Sequence, residues 1–485
     1  MSVRSKVLKN ALLNTGGNRL KIADIFYDRT IKEIRSRPGT KEFDWQTIDS
    51  KEKKETFIAA LPEADLPSGV EICDAHYLLV MPGAIDPHVH FNTPGYEFRD
   101  DFEHGSTAAA YGGVTTVIDM PCTSIPEVTS LAGLLQKVEA LQKRSLIDFA
   151  LWGGISANHF DKLSSNVKEL SAAGVAGFKA YVLSGMKSFG DLSYKQIRLA
   201  AQKIRLTGKP LALHAEDKTL VLNEKNRLQA QNANSWQDYC TARSSQAEAL
   251  AVEKLMYIAR DTGCRIHIVH LSSAAGLQPV IAAQKEGLPF TAETCPHYLY
   301  FTQEDFKNPK IRNFLKTAPP VKHSADRQAL WRALARGEIR FVTTDHAGCD
   351  PQKEKISDNF WQVYGGIPGV EHRVPFLFSE GFKKGRLTLQ QTIDLLSTHA
   401  ADFFRLKHKG KLSPGMDADM ALIDLWSRET VQSTRMHSKG QYTPFEGVTF
   451  SASVARTILH GKVIMGENNE AEVSIGYGKF LTVGE

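Results

Sequence analysis

Val175-Ala-Gly-Phe-Lys-Ala-Tyr181, the pattern Tyr194–Leu206, and Pro210-Leu-Ala-Leu-His-Ala215 follow one another along the chain. The first and last are short apolar runs, as strands covered on both faces must be, and the middle one is an amphipathic helix. Outward from this unit the same alternation repeats. Strands are predicted at Gly83–His90, Val114–Asp119 and Ile147–Ile155 before it, and at Arg265–Leu271, Pro289–Thr294 and Arg340–Asp345 after it. Helical patterns occupy Leu131–Lys143, Ser245–Asp261, Ala275–Lys285 and Asp326–Arg336. Ser245 and Glu248 have capping-box spacing, with Gly263 just past the end of that helix. Eight strands alternating with helices over about 260 residues predict an α/β protein built on a (β/α)8 TIM barrel. No Gly-x-Gly-x-x-Gly follows the first strand, which argues against a dinucleotide fold.

The two ends read differently. Arg19–Ile25 and Val70–Val80 are β-prone and flank a charged stretch, Lys32–Thr56, that reads as a hairpin excursion or surface loop. Near the other end, Asp419–Asp424, Val448–Phe450, Ala455–Leu459 and Lys462–Met465 are separated by turn signals. The expected division is therefore a β-sandwich from 1–82 and 406–485, with the barrel at 83–405 between its halves. The segment Asp350–Gly369 lacks periodicity, as a loop over a barrel mouth would.

Composition narrows the classes. The 485 residues are 42% hydrophobic and 23% charged, with a net charge of +5 that forms no basic block. That argues against disorder and against nucleic acid as a partner. No run of apolar residues is long enough for a membrane span, and the apolar stretch near the start stops at Asn14, too early for a secretory signal. Six widely spaced cysteines without Cys-x-x-Cys fit a reduced, cytoplasmic protein.

Chemistry concentrates where strands end. His88 and His90 alternate with Val89, so both side chains leave one face of the first strand. His214 ends the fifth strand, His270 the sixth and Asp345 the eighth. One strand-end histidine is usually structural; four histidines and an aspartate on four strand ends of one barrel indicate a metal site. His267 falls on the face opposite His270, and His346 faces away from Asp345. Lys179 sits inside an apolar strand, where an ammonium is costly unless it is paired or chemically changed. It is either a salt-bridged lysine or, beside metals, a carbamate formed with CO2 whose two oxygens can bridge them.

These residues resemble the binuclear site of the amidohydrolase superfamily, in the cyclic-amide branch of allantoinases, hydantoinases, dihydropyrimidinases and dihydroorotases. The likeness spans about 80–464 and rests on Pro82-Gly-Ala-Ile-Asp-Pro-His-Val-His-Phe91, Gly112-Gly-Val-Thr-Thr116, Gly177-Phe-Lys179, Cys295-Pro-His-Tyr298, Ala318-Pro-Pro320, Thr344-Asp-His346 and Gly410-Lys-Leu-Ser-Pro-Gly-Met-Asp-Ala-Asp419. An Arg243…Glu248 pair keeps the spacing of a further family element, with Ser244 in place of proline, and is read as structural. The resemblance implies two divalent metal ions, with zinc favoured by the imidazole-rich ligands. His88, His90 and Asp345 would hold one, His214 and His270 the other, with carbamylated Lys179 between them. It further implies a bridging hydroxide that attacks the ring amide, with Asp345 as general base and then general acid. A small cyclic amide is the implied partner, and branch relatives are commonly dimers or tetramers.

Within the branch, dihydroorotases place an Arg and an Asn where this chain has Asn92 and Cys122, and so lack a match here for the carboxylate clamp. Lys322 and Arg99 are the cations that could stand in. Ser124-Ile-Pro126, Trp152-Gly-Gly154 and Gly365-Gly-Ile367 look like allantoinases, whereas Ile367-Pro-Gly-Val-Glu-His-Arg373 and Thr443-Pro-Phe-Glu-Gly447 look like hydantoinases. The expected substrate is an uncharged ureide ring such as allantoin, with hydantoin, dihydropyrimidine and dihydroorotate as alternatives. Candidate ring contacts are Asn92, Tyr181, Ser272, Ser273, Cys295, Gly365 and Gly366. A non-catalytic scaffold related to hydantoinases is the alternative from another class.

Overall fold

A computed structural model of the chain describes residues 6–62, 69–466 and 471–484. Strands β1 (Lys6–Gly16) and β2 (Arg19–Tyr27) form an antiparallel hairpin. Gly16 and Gly17 both have positive φ there, which glycine adopts without a side-chain clash. A bulge between Leu8 and Ala11 lets β1 change neighbours: its first half pairs in parallel with β5 (Glu71–Asp74), and Leu12 pairs with Leu79 of β6 (Leu79–Pro82). β3 (Ile31–Ser36) and β4 (Phe43–Asp44) both pair with β2.

The charged stretch after Thr30 is therefore not a loose excursion. Lys32, Glu33, Arg35 and Ser36 cover the exposed side of β3, where charges discourage further pairing. Trp45 is buried between the rings of Phe382 and Trp426, each 5.4 Å away. A helix, Lys51–Ala59, follows, with Ser50 accepting a hydrogen bond from the Lys53 N–H. Charge content concealed these elements from a reading by hydrophobic pattern.

The middle of the chain supplies the parallel strands β7 (Ala84–Val89), β8 (Val114–Asp119), β9 (Asp148–Leu151), β10 (Gly153–Gly154), β11 (Phe178–Tyr181), β12 (Leu211–His214), β13 (Ile266–Ile268), β14 (Phe290–Thr294) and β15 (Phe341–Val342). Each pairs in parallel with the next in sequence, except that β9 runs on into β10 through Trp152. A parallel bridge between Val89 and His346 joins the two ends of the series, and the His90 N–H donates to the His346 carbonyl at 2.7 Å. Nearly every residue of these strands is buried, because helices cover their outer face. Tyr194–Arg205 is representative: Ser193 and Gln196 form a capping box, and Ile197, Ala200, Ala201 and Ile204 face inward. Burying Ile197 and Ile204 contributes about 2 kcal/mol each. The helix Ser245–Thr262 begins one residue earlier than its capping pattern suggests, because Ser244 is the cap, accepting from the Ala247 N–H. That frees Glu248 for another task.

Near the other end, β16 (Met420–Asp424) pairs with β6, and β19 (Ser453–Leu459) and β20 (Lys462–Met465) extend from it. The short pair β17 (Glu429–Thr430) and β18 (Thr449–Phe450) stands apart. Both ends of the chain thus meet in one nine-stranded sheet, ordered β20-β19-β16-β6-β1-β2-β3, with β4 and β5 beside it. Past Glu472, whose N–H still donates to Val463 of β20, the chain leaves that sheet and runs along β9: the Phe149 N–H donates to Lys479, and the Leu481 N–H donates to Phe149. No helix among the described residues is long and apolar enough to cross a membrane.

Candidate metal centre

The strand ends converge. His88 Nε2 and His90 Nε2 lie 3.0 and 3.2 Å from the same oxygen of Asp345. The donor atoms of these three residues all fall within 4.8 Å of one another. His214 Nδ1 lies 3.0 Å from His270 Nε2, and the His88 and His270 rings are 5.5 Å apart, so the two histidine pairs adjoin. His270 and Asp345 both adopt left-handed φ, 41° and 49°, an unfavourable backbone held at the site by its surroundings.

Lys179 is fully buried, and its Nζ has no hydrogen-bond partner among the described residues. Burial pulls its amine down to about 8, against the opposing field of Cys122, Asp345 and Glu293. The imidazoles divide by neighbour. Burial disfavours the cationic form of His88, but Glu293 and Asp345 outweigh it and raise its pKa. Burial and the adjacent His214 hold His270 well below the usual range, in the neutral form that can donate a lone pair to a metal. Burial opposes ionisation of Asp345, yet His88 and His90 keep its carboxyl well below normal.

Two carboxylates not singled out from sequence back these imidazoles. Glu293, itself held by His267 Nε2 at 3.0 Å, faces His88 Nδ1. Glu216 meets His214 Nε2 at 2.8 Å and is paired with Arg243. The clue to the first was an acid inside an apolar strand; to the second, the His-x-Glu spacing at a strand end. His267, set aside as facing away from His270, belongs to this support. His346 does face away, with its ring on Asp100 at 3.0 Å.

A cavity of about 480 Å³ opens above the cluster. Tyr181, Gly365 and Gly366 line it, together with His88, His90, His214, His270 and Asp345. Asn92, Ser272, Ser273 and Cys295 do not line it. Ser272 donates to Glu248 at 2.8 Å, and Ser273 donates to the same carboxylate, so both hydroxyls are engaged below the floor. Glu248 is thus a buried acceptor rather than a helix cap. Asn92 donates to the Gly348 carbonyl at 3.4 Å, and Cys295 contacts Thr343 at 3.7 Å. Strand-end position alone could not separate floor from wall.

The segment over the mouth is fastened. Arg99 forms an ion pair with Glu354 at 2.7 Å. Lys355 donates to the carbonyls of Tyr364 and Gly366, at 2.8 and 2.9 Å. Lys316 donates to Phe360, Trp361 and Val363, and burial with the nearby Lys355 lowers its pKa to about 7. Arg99 lines the cavity but is already paired, and Lys322 is directed at the Arg243 carbonyl. Neither expected cation is therefore a free carboxylate clamp.

The family model described as the Amidohydrolase family matches residues 79–464. The chain belongs to the amidohydrolase family. This amidohydrolase is 35% identical over 402 residues to an allantoinase of Rubrobacter xylanophilus, covering 82% of this chain and 87% of the relative. It is 32% identical over 412 residues to an allantoinase of Escherichia coli, covering 84% and 89%. Among solved structures it is similar to L-hydantoinase (dihydropyrimidinase) from Arthrobacter aurescens, with TM-score 0.87 and 28% identity over 99% of this chain and all of the other. A D-hydantoinase (dihydropyrimidinase) from a Thermus species gives TM-score 0.85 at 26% identity, covering 99% of each chain.

Proposed function

We propose that this amidohydrolase opens a cyclic ureide by hydrolysing a ring amide, with allantoin as the substrate, using two divalent cations, zinc first. The observation that carries the reading is the meeting of four imidazoles and Asp345 in one cluster, within whose electrostatic reach lies the fully buried Lys179, an amine with no hydrogen-bond partner among the described residues. Such donors suit divalent cations, and an amine with a lowered pKa is more often in the neutral form that adds to CO2. His88, His90 and Asp345 would hold one cation and His214 and His270 the other, and Lys179, as its carbamate, would supply a further anionic ligand. The cations supply Lewis acidity and acidify water near neutral pH. Asp345, low in pKa and facing the cavity, takes a proton from the attacking water at its free oxygen and returns it to the leaving ring nitrogen. Tyr181 and the backbone at Gly365 and Gly366 flank the ring.

In the same reading the parallel strands close as a (β/α)8 barrel through the Val89–His346 bridge, and the nine-stranded sheet is the expected β-sandwich, less the segment around Lys479 and Leu481, which runs along β9 instead. Likeness to hydantoinases along nearly the whole chain favours hydantoin as the second substrate. A parallel ring-opening assay of allantoin, hydantoin, dihydrouracil and dihydroorotate with metal-loaded protein tests this. Allantoin should give the largest kcat/KM; fastest turnover of dihydroorotate, or none of any ring, overturns it.

A further inference from the structure

We infer that Glu216 and Glu293 are positioning residues that lock His214 and His88 in opposite tautomers, each carboxylate serving a different one of the two cations. The inference rests on the two-cation reading above, but its residues lie outside that donor set.

An ionised carboxylate only accepts hydrogen bonds, so the ring nitrogen facing it must carry the proton. His214 turns Nε2 to Glu216 at 2.8 Å, which leaves the lone pair on Nδ1, the atom 3.0 Å from His270 Nε2. His88 does the reverse: Nδ1 meets Glu293 and keeps its proton there, so that when a cation replaces the proton between Nε2 and Asp345, 3.0 Å apart, Nε2 is the nitrogen that presents the lone pair. The two rings therefore use different nitrogens, and without a brace each would divide its population between two tautomers, one of them unable to bind. His270 has no such support, since its Nδ1 lacks a partner among the described residues.

Each brace is itself held. Glu216 and Glu293 are fully buried, and a buried carboxylate left unpaired is strongly destabilising. Arg243 pairs with Glu216, and Lys322 fixes the Arg243 backbone by donating to its carbonyl. His267 donates to Glu293 through Nε2, while its Nδ1 meets Thr291 Oγ1 at 2.8 Å. These chains run in different directions, one through a cavity-wall arginine and one into the strand layer. The two braces should therefore act independently.

The test is cobalt(II) titration of metal-free protein, followed by visible absorption and by competition with a chelator. Wild-type protein should bind two equivalents; fewer than two would overturn the two-cation reading itself. Glu216→Gln should keep one equivalent at wild-type affinity and weaken the other 10- to 100-fold, the usual effect of losing such a partner. Glu293→Gln should do the same to the other equivalent. In a His214→Ala background Glu216→Gln should add no further loss, whereas in a His88→Ala background it should. A purely structural carboxylate would lower the Tm of the metal-free variant and leave both affinities unchanged. That result, with two equivalents in the wild type, would overturn the inference alone. Should Glu216→Gln not fold, Arg243→Gln, which loosens the brace without removing it, should give a smaller loss at the same equivalent, and unchanged affinity there counts equally against the inference.

Discussion

Among the described residues, two largely buried groups bring histidine and carboxylate together closely enough to grip a cation. One is His88, His90 and Asp345; the other is Asp417, Asp419 and His460. The second already contains its cation. Lys409 places its ammonium 2.7 Å from Asp148, 2.9 Å from Asp417 and 2.5 Å from Asp419, while His460 bonds to Asp148 at 2.9 Å. It ties the parallel strand β9 to the chain-end sheet, and its carboxylates are already engaged by that one ammonium and by His460. The first group adjoins a lysine with no hydrogen-bond partner among the described residues and two more imidazoles aimed at each other. Closeness of ligand atoms does not distinguish a metal site from an ion-pair joint; unsatisfied donors do.

The contrast can be broken most forcefully at Lys179. Lys179→Ala should remove at least one metal per chain and nearly all turnover, with partial return on adding short carboxylic acids; metal analysis and kcat check both, and full activity would contradict a carbamate bridge. Asp345→Asn should keep most of the metal yet lower kcat about 10²- to 10⁴-fold, the span expected for losing a proton-transfer group. Lys409→Met should leave metal content unchanged but destabilise the fold by about 3–5 kcal/mol, because the buried carboxylates of Asp148 and Asp419 lose their counter-charge. Denaturant titration measures this, and lost metal with unchanged stability would reverse the two assignments.

The smallest effect is in pH. Burial resists ionisation of Asp148, but Lys409 and His460 hold its carboxyl down to about 2, against an ordinary 3.8. Between those values the unfolded chain binds more protons than the folded one, so stability rises with pH across that window. The contribution of Asp148 should be complete above about pH 4 and fade toward pH 2. Tm of the metal-free protein against pH checks this, and Lys409→Met should flatten the slope.

Much of the scaffold was legible because each strand had to be apolar throughout and each helix on one face. Val114–Asp119 has the observed bounds, and the His88–His90 alternation places both rings together as expected. Of the two readings of Lys32–Thr56, the hairpin holds, since β3 pairs with β2, but the short helix Lys51–Ala59 was missed because it carries charge on its open side. The capping pattern at Ser245 shifted by one residue because Ser244 offers the same hydroxyl to the first turn. Ser272 and Ser273 looked like ring contacts because they follow His270, yet their hydroxyls go to Glu248, brought in from another helix.

By itself the sequence determined which residue types stand at the ends of the parallel strands, since periodicity of two and burial on both faces are local properties. Only the tertiary structure decided which nitrogen each imidazole presents, which hydroxyls are engaged, and which of two histidine–carboxylate clusters already holds a lysine. Those depend on partners far apart in the chain, such as His88 with Glu293 and Lys409 with Asp148, whose approach no local pattern encodes.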